Sequence, residues 1–325
     1  MKYLIDKEVK ELLSPKGFTR WGDIVSTIEE AFADPTADMV PKVYLEAGKA
    51  GDYRAMPAAL GGYAAIKWIG VFPNNPKGDN PTGQSLPTTI GTLILNDRFT
   101  GAPLVAMDCT TLTAYRTAAT SAIAAKYCAS EAESFAIIGC GLQAEYHIEA
   151  YESICQSHMN LDIQLYDRDE KAQKKMFNWL GRESLCRSWG RNESVKKAVE
   201  HADVITTLTP SRTPYLDILD LKSNCHVNAV GADAVGKREL MTNVIDGAAD
   251  IICDDPKQAF HSGELQYNEW PHLDVISMQD LIKNHETMQL NKGVSIFDST
   301  GVAIEDIAVA ILVWNLYQGK IDWGL

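Results

Sequence analysis

Three small residues at a fixed spacing form the pattern whose chemistry is easiest to state. Gly139, Gly141 and Ala144 follow the apolar run 135–138 in a G-x-G-x-x-A arrangement. The first glycine permits a tight turn, the second lets the backbone approach a pyrophosphate, and the alanine lets a helix pack closely on a strand. The helix that starts there points free N–H groups and the positive end of its dipole at phosphate. The pattern indicates a dinucleotide-binding turn; its alternative is a glycine turn in a βαβ unit that binds nothing.

An acidic residue downstream favours the binding interpretation. Segment 162–167 has the pattern of the next strand and ends in Asp167. A carboxylate at a strand end can accept hydrogen bonds from both hydroxyls of an adenosine ribose, and it would repel a 2′-phosphate. The sequence therefore favours NAD over NADP, although the adjacent Arg168 works against that preference.

Further polar residues follow other predicted strands, at the edge where open α/β sheets bind ligands. They include Thr207, Thr209, Asp233, Lys237 and Ser299. Asp233 stands in a Gly-Ala-Asp sequence, where it is either a functional carboxylate or a turn or cap residue.

Three cations stand among apolar or small residues in the first part of the chain: Arg54, Lys67 and Arg116. Such surroundings predict partial burial, and a buried cation needs an anion, for which a substrate carboxylate would serve. The alternatives are structural salt bridges for Arg54 and Arg116, and a solvent-facing position for Lys67 between Ile66 and Trp68.

Cysteine and histidine residues indicate no metal site. The seven cysteines are scattered without C-x-x-C pairing, which predicts reduced thiols in a cytoplasmic protein, and no spacing is typical of zinc ligands. Cys140 lies inside the glycine turn, where it is either a reactive thiol or a small neutral filler.

The composition narrows the class of protein. A chain of 325 residues is long enough for two domains, and 46% apolar with 22% charged residues is normal for a soluble globular protein. A net charge of −13 disfavours nucleic acid and anionic membrane surfaces as partners. We expect no secretory signal and no membrane span, because the first residues lack a long apolar run and no stretch approaches about 20 apolar residues.

The periodicity of apolar residues predicts the elements that position these groups. Residues 1–36 look helical, and a helix rich in small residues is predicted at 111–129. Strand-like runs in this first part cover 42–45, 52–56, 63–69, 88–95 and 104–108. From residue 134 onward strand and helix patterns alternate, which is typical of a parallel sheet. Its predicted strands cover 135–139, 163–167, 204–208, 226–230, 251–254 and 295–298, and a last apolar helix is predicted at 304–317.

Several segments occur together, in the same order, in a known family. They are residues 41–46 (PKVYLE), 54–57 (RAMP), 67–69 (KWI), 86–88 (LPT), 115–120 (YRTAAT), 138–144 (IGCGLQA), 231–240 (GADAVGKREL), 254–258 (DDPKQ) and 297–301 (FDSTG). From about residue 38 to about residue 310 the chain resembles the ornithine cyclodeaminase, archaeal alanine dehydrogenase and μ-crystallin family. Its motifs resemble those of the archaeal alanine dehydrogenases most.

The resemblance implies a fold, an assembly and a set of site residues. The implied α/β fold is a Rossmann-type doubly wound parallel sheet at 128–301, plus an α+β substrate-binding and dimerisation domain made of 1–127 and 302–325, in a homodimer. By analogy, Arg54, Lys67 and Arg116 bind the substrate carboxylate, and Asp233 is the catalytic acid or base, with Lys67 beside it in the catalytic set. The residues implied to line NAD are Thr88, Arg116, Thr117, Gly139, Gly141, Leu142, Gln143, Asp167, Thr207, Val230, Gly231, Ala232, Lys237 and Ser299.

The chemistry that the resemblance implies begins when the α-hydride of an L-amino acid passes to NAD and leaves an iminium. In an alanine dehydrogenase, water activated by Asp233 attacks the iminium and gives a 2-oxo acid and ammonia. In an ornithine cyclodeaminase, the δ-amine of the substrate attacks instead, ammonia leaves, and the returning hydride gives proline. Both routes need a cationic clamp that orients the substrate.

One position separates the two activities. Cyclodeaminases typically carry Glu-Leu-Met-Pro where this chain has Arg54-Ala-Met-Pro57, and Arg54 would repel the terminal amine that the Glu is thought to meet. The sequence therefore predicts an NAD-dependent alanine dehydrogenase. The alternatives are an ornithine cyclodeaminase, a ketimine or pyrroline-2-carboxylate reductase, and a non-catalytic, μ-crystallin-like NAD(P)H-dependent binding protein.

Overall fold

Two sheets organise the chain, and each belongs to a separate unit. The computed structural model describes residues 1–14, 20–154, 161–267 and 273–319. The first unit comprises Met1–Arg116 with Val302–Leu325, and the second comprises Thr117–Gly301. The predicted domains include residues 15–19, 155–160, 268–272 and 320–325, which lie outside the described ranges. The assignment of one domain to the substrate and the other to the dinucleotide stays a prediction.

The first unit is built on a mixed sheet. Its strands, among the residues described, are β1 (Lys2–Leu4), β2 (Asp38–Met39), β3 (Val43–Glu46), β4 (Asp52–Leu60), β5 (Tyr63–Val71), β6 (Thr89–Asp97) and β7 (Pro103–Asp108). They lie in the order β1-β7-β6-β5-β4-β2, with β3 also paired to β4. β1 runs parallel to β7, and the other pairs are antiparallel.

Helices complete the N-terminal part of this unit. They are α1 (Asp6–Leu13) and α2 (Trp21–Ala33), and α3 (Thr110–Cys128) leads from the first unit into the second. The prediction of helix throughout 1–36 is wrong at residues 2–4. These residues form β1 because they pair with β7, with Lys2 opposite Val105, and bury Leu4 completely. Residues 15–19 of the same prediction lie outside the described ranges.

The second unit is built on a parallel sheet. Its described strands are β8 (Ser134–Ile138), β9 (Asp162–Tyr166), β10 (Ser188–Arg191), β11 (Val204–Thr207), β12 (Cys225–Ala229), β13 (Ala248–Cys253), β14 (Val275–Ser277) and β15 (Val294–Asp298). They lie in the order β10-β9-β8-β11-β12-β15-β13-β14, and every pair is parallel. All residues of β11, β12 and β15 are buried, as expected of strands that are covered on both faces.

Six helices within the described residues accompany this sheet. They are α4 (Leu142–Ile154), α5 (Glu170–Glu183), α6 (Val195–Val199), α7 (Thr242–Asp246), α8 (Pro256–Ser262) and α9 (Met278–Asn284). The alternation of strands and helices confirms the predicted Rossmann-type doubly wound fold. The edge strands β10 and β14 were not predicted, because neither has the apolar run that marked the central strands.

The chain returns to the first unit in α10 (Ala303–Tyr317), close to the predicted 304–317. This helix packs against α2, β4 and β5. Its first turn carries two buried carboxylates, Glu305 and Asp306, in otherwise apolar surroundings. Among the helices that the structure describes, none is long and apolar enough to cross a membrane.

Candidate functional site

The glycine turn lies where the strand order of the parallel sheet reverses, between β8 and β11. Gly139 directly follows β8 and adopts φ 105°, a left-handed conformation that favours glycine. A Cβ at Gly139 would lie 3.0 Å from Leu208 O, which directly follows β11. A Cβ at Gly141 would meet no atom within 4 Å, so its backbone borders open space. Ala144 is fully buried, in agreement with close packing of α4 on the sheet.

The Asp167 carboxylate is held against this turn. Its Oδ2 accepts a hydrogen bond from Cys140 N at 2.7 Å, and its Oδ1 accepts one from Asp169 N at 2.8 Å. A carboxylate oxygen has two lone pairs, so each oxygen keeps capacity for a ligand hydroxyl. The structure therefore brings the predicted ribose-binding acid and the predicted phosphate-binding turn together.

A cavity of about 700 Å³ opens beside this turn. Gly139, Gly141, Asp167 and Arg168 form one part of its lining, and the segment 208–215 forms another. Of this segment, only Thr209 was predicted from the sequence to lie at the ligand-binding edge. The signal was present, since a Thr-Pro-Ser-Arg-Thr-Pro run directly after a buried strand is typical of a loop at the ligand-binding edge.

Two further observations concern the same turn. Burial raises the pKa of the Cys140 thiol to about 12, and the neighbouring Asp167 adds to that effect, so the thiol is protonated at neutral pH. The small neutral filler is thus the interpretation that fits Cys140. Gln143 Oε1 is buried and accepts no hydrogen bond from the described residues. An orphaned acceptor at the start of α4 fits a site that is completed by a ligand.

Asp233 lies in a turn that follows β12. Lys237 Nζ donates to Asp233 Oδ1 at 2.5 Å, and both side chains are partly exposed. The turn passes through Gly236, at φ 84°, whose N–H donates to Gln266 Oε1 at 2.7 Å. The carboxylate is therefore oriented by an ion pair within one turn.

The other candidate residues divide between the units. In the first unit, Thr88 O accepts from Phe72 N at 2.7 Å. In the second, Val230 N and Gly231 N both donate to Thr207 O, and Ser299 N donates to Ala229 O at 2.9 Å. Those buried in the second unit are Thr117, Thr207, Val230, Ala232 and Ser299, whereas Leu142 is exposed.

The three cations of the first unit are buried, and each contacts a carboxylate. Lys67, 1% exposed, donates to Asp306 at 2.7 Å. The predicted burial of Lys67 is confirmed and its solvent-facing alternative is wrong, because Lys67 takes the buried side of β5 while its neighbours take the exposed side. Burial lowers the pKa of Lys67, and the attraction of Asp306 opposes that effect.

Both arginines form salt bridges. Arg116 Nη1 donates to Glu305 at 2.6 Å and Arg116 Nε donates to Asp306 at 3.1 Å. Arg54 Nε donates to Asp52 at 2.7 Å. The alternative interpretation of both arginines, as partners in structural salt bridges, therefore agrees with the contacts that they make. Protein carboxylates supply the anions that these buried cations require. Glu305 and Asp306 were not predicted from the sequence, although an acidic pair inside the apolar run 303–313 was a visible signal.

A doubly wound parallel sheet, with a glycine turn at its reversal point and an acid at the end of the next strand, defines a Rossmann-type dinucleotide-binding fold. The chain belongs to the ornithine cyclodeaminase/mu-crystallin family, whose model matches residues 7–320.

Relatives within this family differ in activity. An alanine dehydrogenase of Archaeoglobus fulgidus is 39% identical over 96% of this chain and 94% of its own. An ornithine cyclodeaminase of Agrobacterium fabrum is 31% identical over 90% of this chain and 80% of its own. Among solved structures, an archaeal alanine dehydrogenase dimer with bound NAD is 35% identical, covers 99% of both chains and has a TM-score of 0.86.

Proposed function

We propose that the protein is an NAD-dependent alanine dehydrogenase, which converts L-alanine, NAD and water to pyruvate, ammonia and NADH. The observation that carries this choice is Arg54, a guanidinium 4% exposed in β4 at the position where cyclodeaminases typically carry a Glu. A buried cation disfavours a second cation at the end of a substrate side chain, so a short, uncharged side chain is expected. The 39% identity to the alanine dehydrogenase of Archaeoglobus fulgidus supports the same choice.

NAD is the proposed cofactor, and it supplies the acceptor for the α-hydride. The glycine turn, Asp167 and the open space at Gly141 fit the phosphates and the adenosine ribose. Lys67, Arg116 and Arg54 bind and orient the substrate carboxylate, in addition to their contacts with protein carboxylates. Asp233 exchanges the proton of the attacking water, and the Lys237 ammonium holds the Asp233 carboxylate in one orientation.

A homodimer is the proposed assembly, and the first unit presents a surface that fits a second copy. On one face of its sheet, Trp68 lies opposite Ala55 and Thr92, and Val43 extends this face onto β3. Five large apolar residues are exposed there: Val43, Leu45, Ile66, Trp68 and Ile90. A contiguous apolar face of this kind marks an interaction surface, and the related alanine dehydrogenase is a dimer.

The deciding test is a substrate panel. Purified protein is incubated with NAD and L-alanine, L-ornithine, L-lysine or L-proline, and both NADH and proline are measured. Net NADH from alanine is the expected result. Proline from ornithine without net NADH would instead identify a cyclodeaminase, which relatives at 31% identity favour. If both assays are silent, pyrroline-2-carboxylate with NADH tests the imine reductase, and NADH binding without turnover indicates the binding protein.

A further inference from the structure

Two segments of the second unit, 208–216 and 230–240, run together beside the cavity. The first forms part of the cavity wall, and the second carries Asp233. Main-chain hydrogen bonds join the two segments, and one of them runs from Tyr215 N to Glu239 O at 2.8 Å. These main-chain contacts hold the two segments against each other.

The side chain of Glu239 lies between these segments and is fully buried. Its Oε1 accepts hydrogen bonds from Thr209 N at 2.7 Å, Thr209 Oγ1 at 2.6 Å and Tyr215 Oη at 2.7 Å. Its Oε2 accepts a hydrogen bond from Gly231 N at 2.8 Å. Thr209 follows β11 and Gly231 follows β12, so one carboxylate joins the chain segments at the ends of two adjacent strands.

The close approach of Glu239 leaves no room for a side chain at Gly231. A Cβ there would lie 2.1 Å from Thr209 O and 2.5 Å from Glu239 Oε2. The glycine at this position is therefore required by the close approach of both the Thr209 main chain and the Glu239 carboxylate.

Both oxygens of the carboxylate are needed for this arrangement. Burial raises the pKa of Glu239, and the hydrogen bonds from Thr209 and Tyr215 oppose that effect. An amide at this position would have a single acceptor oxygen, so it could serve either the Thr209 and Tyr215 donors or Gly231 N, but not both. Its NH₂ group would face a donor on the other side.

We infer that Glu239 is a positioning residue for dinucleotide binding. Its carboxylate fixes the position of the cavity wall at Thr209 and Tyr215 relative to the turn that carries Asp233 and Lys237. This role rests on the proposed use of the cavity for NAD, and it is independent of which amino acid is the substrate.

The test compares NADH affinity, measured by fluorescence titration, with thermal stability in Glu239→Gln. We expect NADH affinity to fall about 10-fold, because hydrogen bonds that the Glu239 side chain accepts at the cavity wall are lost. Glu152→Gln is the matched control. Glu152 is also a buried carboxylate of the second unit and accepts from Ser184 Oγ and Leu185 N, but it does not line the cavity. The control should lower the melting temperature and leave NADH affinity within about twofold of the wild type.

Tyr215→Phe provides a milder variant, which deletes only the hydroxyl donor to Glu239. Alone it should weaken NADH binding about 3-fold, and in the Glu239→Gln background it should add nothing, because both changes break one network. Additive effects, or unchanged NADH affinity in both single variants, would overturn the role of Glu239. A wild-type protein that binds no NADH would overturn the proposed function and this role together, so the two failures are distinguishable.

Discussion

At the scale of single residues, two of the three candidate cations of the first unit, Lys67 and Arg116, pair with the carboxylates of α10. Asp306 accepts hydrogen bonds from both Lys67 and Arg116, whereas Glu305 contacts Arg116 through its Oε2. A buried cation that loses its carboxylate is strongly destabilised in its charged form. Asp306 thus opposes the burial that lowers the pKa of Lys67.

The first prediction follows from this contact. In Asp306→Asn, the pKa of Lys67 should fall further, because the attraction that opposed burial is removed. We expect KM for the amino acid to rise about 10-fold or more, with the ratio of variant to wild-type KM increasing as pH rises and Lys67 loses its proton. Steady-state kinetics over a pH series measure this ratio, and circular dichroism checks that the variant is folded.

Glu305→Gln is the control for that experiment, since it removes a neighbouring carboxylate and leaves the contact between Lys67 and Asp306 in place. The ratio of its KM to the wild-type KM should vary less with pH than the ratio for Asp306→Asn. A KM ratio for Asp306→Asn that is constant with pH, or a KM that falls, would show that Asp306 does not act through Lys67.

The second prediction concerns Asp233. Replacement of Asp233 by Asn removes the proposed proton-exchanging group, so kcat should fall by a factor on the order of 10²–10⁴. NADH affinity should stay within about threefold of the wild type, because the proposed role of Asp233 is in proton exchange. Stopped assays give kcat, and fluorescence titration gives the NADH affinity.

Asp220→Asn is its matched control, because Asp220 also pairs with a lysine of the second unit, Lys196, at 2.7 Å. This variant should keep full activity. Loss of NADH binding in Asp233→Asn would mean that Asp233 maintains the turn, and that the catalytic role is mistaken.

At the scale of elements, a network of buried polar contacts joins β12, β15 and α4 of the second unit. His226 on β12 contacts Ser295 Oγ on β15 at 2.9 Å and Asn228 Oδ1 at 3.0 Å. Asn228 in turn donates to Tyr151 Oη on α4 at 2.8 Å. Since the amide oxygen only accepts, Nε2 of a neutral His226 carries the proton, and Nδ1 accepts from the hydroxyl. The ring is satisfied in its neutral form.

This arrangement predicts acid-sensitive stability. Burial lowers the pKa of His226 from 6.5 to about 4, so below pH 6.5 the unfolded chain binds a proton that the folded chain does not. The free energy of unfolding should therefore decrease as pH falls from 6.5 towards 4, by about 3 kcal/mol from this group. Urea unfolding at a series of pH values measures the decrease.

Two variants isolate the contribution of His226. His226→Gln should have a shallower dependence of stability on pH in that window, whereas His201→Gln, whose side chain is 90% exposed, should match the wild type. An unchanged slope in His226→Gln would mean that His226 is not the group that titrates.

At the scale of the whole molecule, the exposed apolar face of the first unit predicts the effect of one charge on assembly. In Trp68→Glu, a carboxylate would replace a side chain that is 43% exposed at the centre of that face. Burying the unpaired charge between two copies should weaken the dimer by a factor on the order of 100. Sedimentation velocity at several concentrations measures the shift to monomer.

Leu219→Glu is the control, because Leu219 is a single apolar residue of the second unit and is 82% exposed. It should leave the dimer intact. A wild-type protein that sediments as a monomer, or a Trp68→Glu variant that stays dimeric, would contradict the proposed interface.

The sequence by itself was sufficient to predict the glycine turn and Asp167, the part of the site that depends on local geometry. Gly139 directly follows β8, Asp167 directly follows β9, and Gly141 and Ala144 lie at the start of α4. The periodicity of apolar residues determines where these elements begin and end. Within one βαβ unit, a glycine turn after the first strand and an acid after the second strand lie at the same edge of the sheet. For this reason the parallel sheet and the acid near the glycine turn could be predicted, whereas the strand order, which determines the reversal point, could not.

Only the tertiary structure decided which charges meet. Arg116 and Asp306 lie on two helices that are far apart in the sequence. Thr209 and Glu239 lie on two separate loop segments. No local sequence pattern specifies either pair. The sequence could identify buried cations, but the anions of Lys67 and Arg116 depend on how α10 returns to the sheet. The same reason explains β1, which forms because β7 supplies its hydrogen bonds. Long-range pairing is determined by the packing of the whole chain, because burial makes each unpaired charge or backbone group costly.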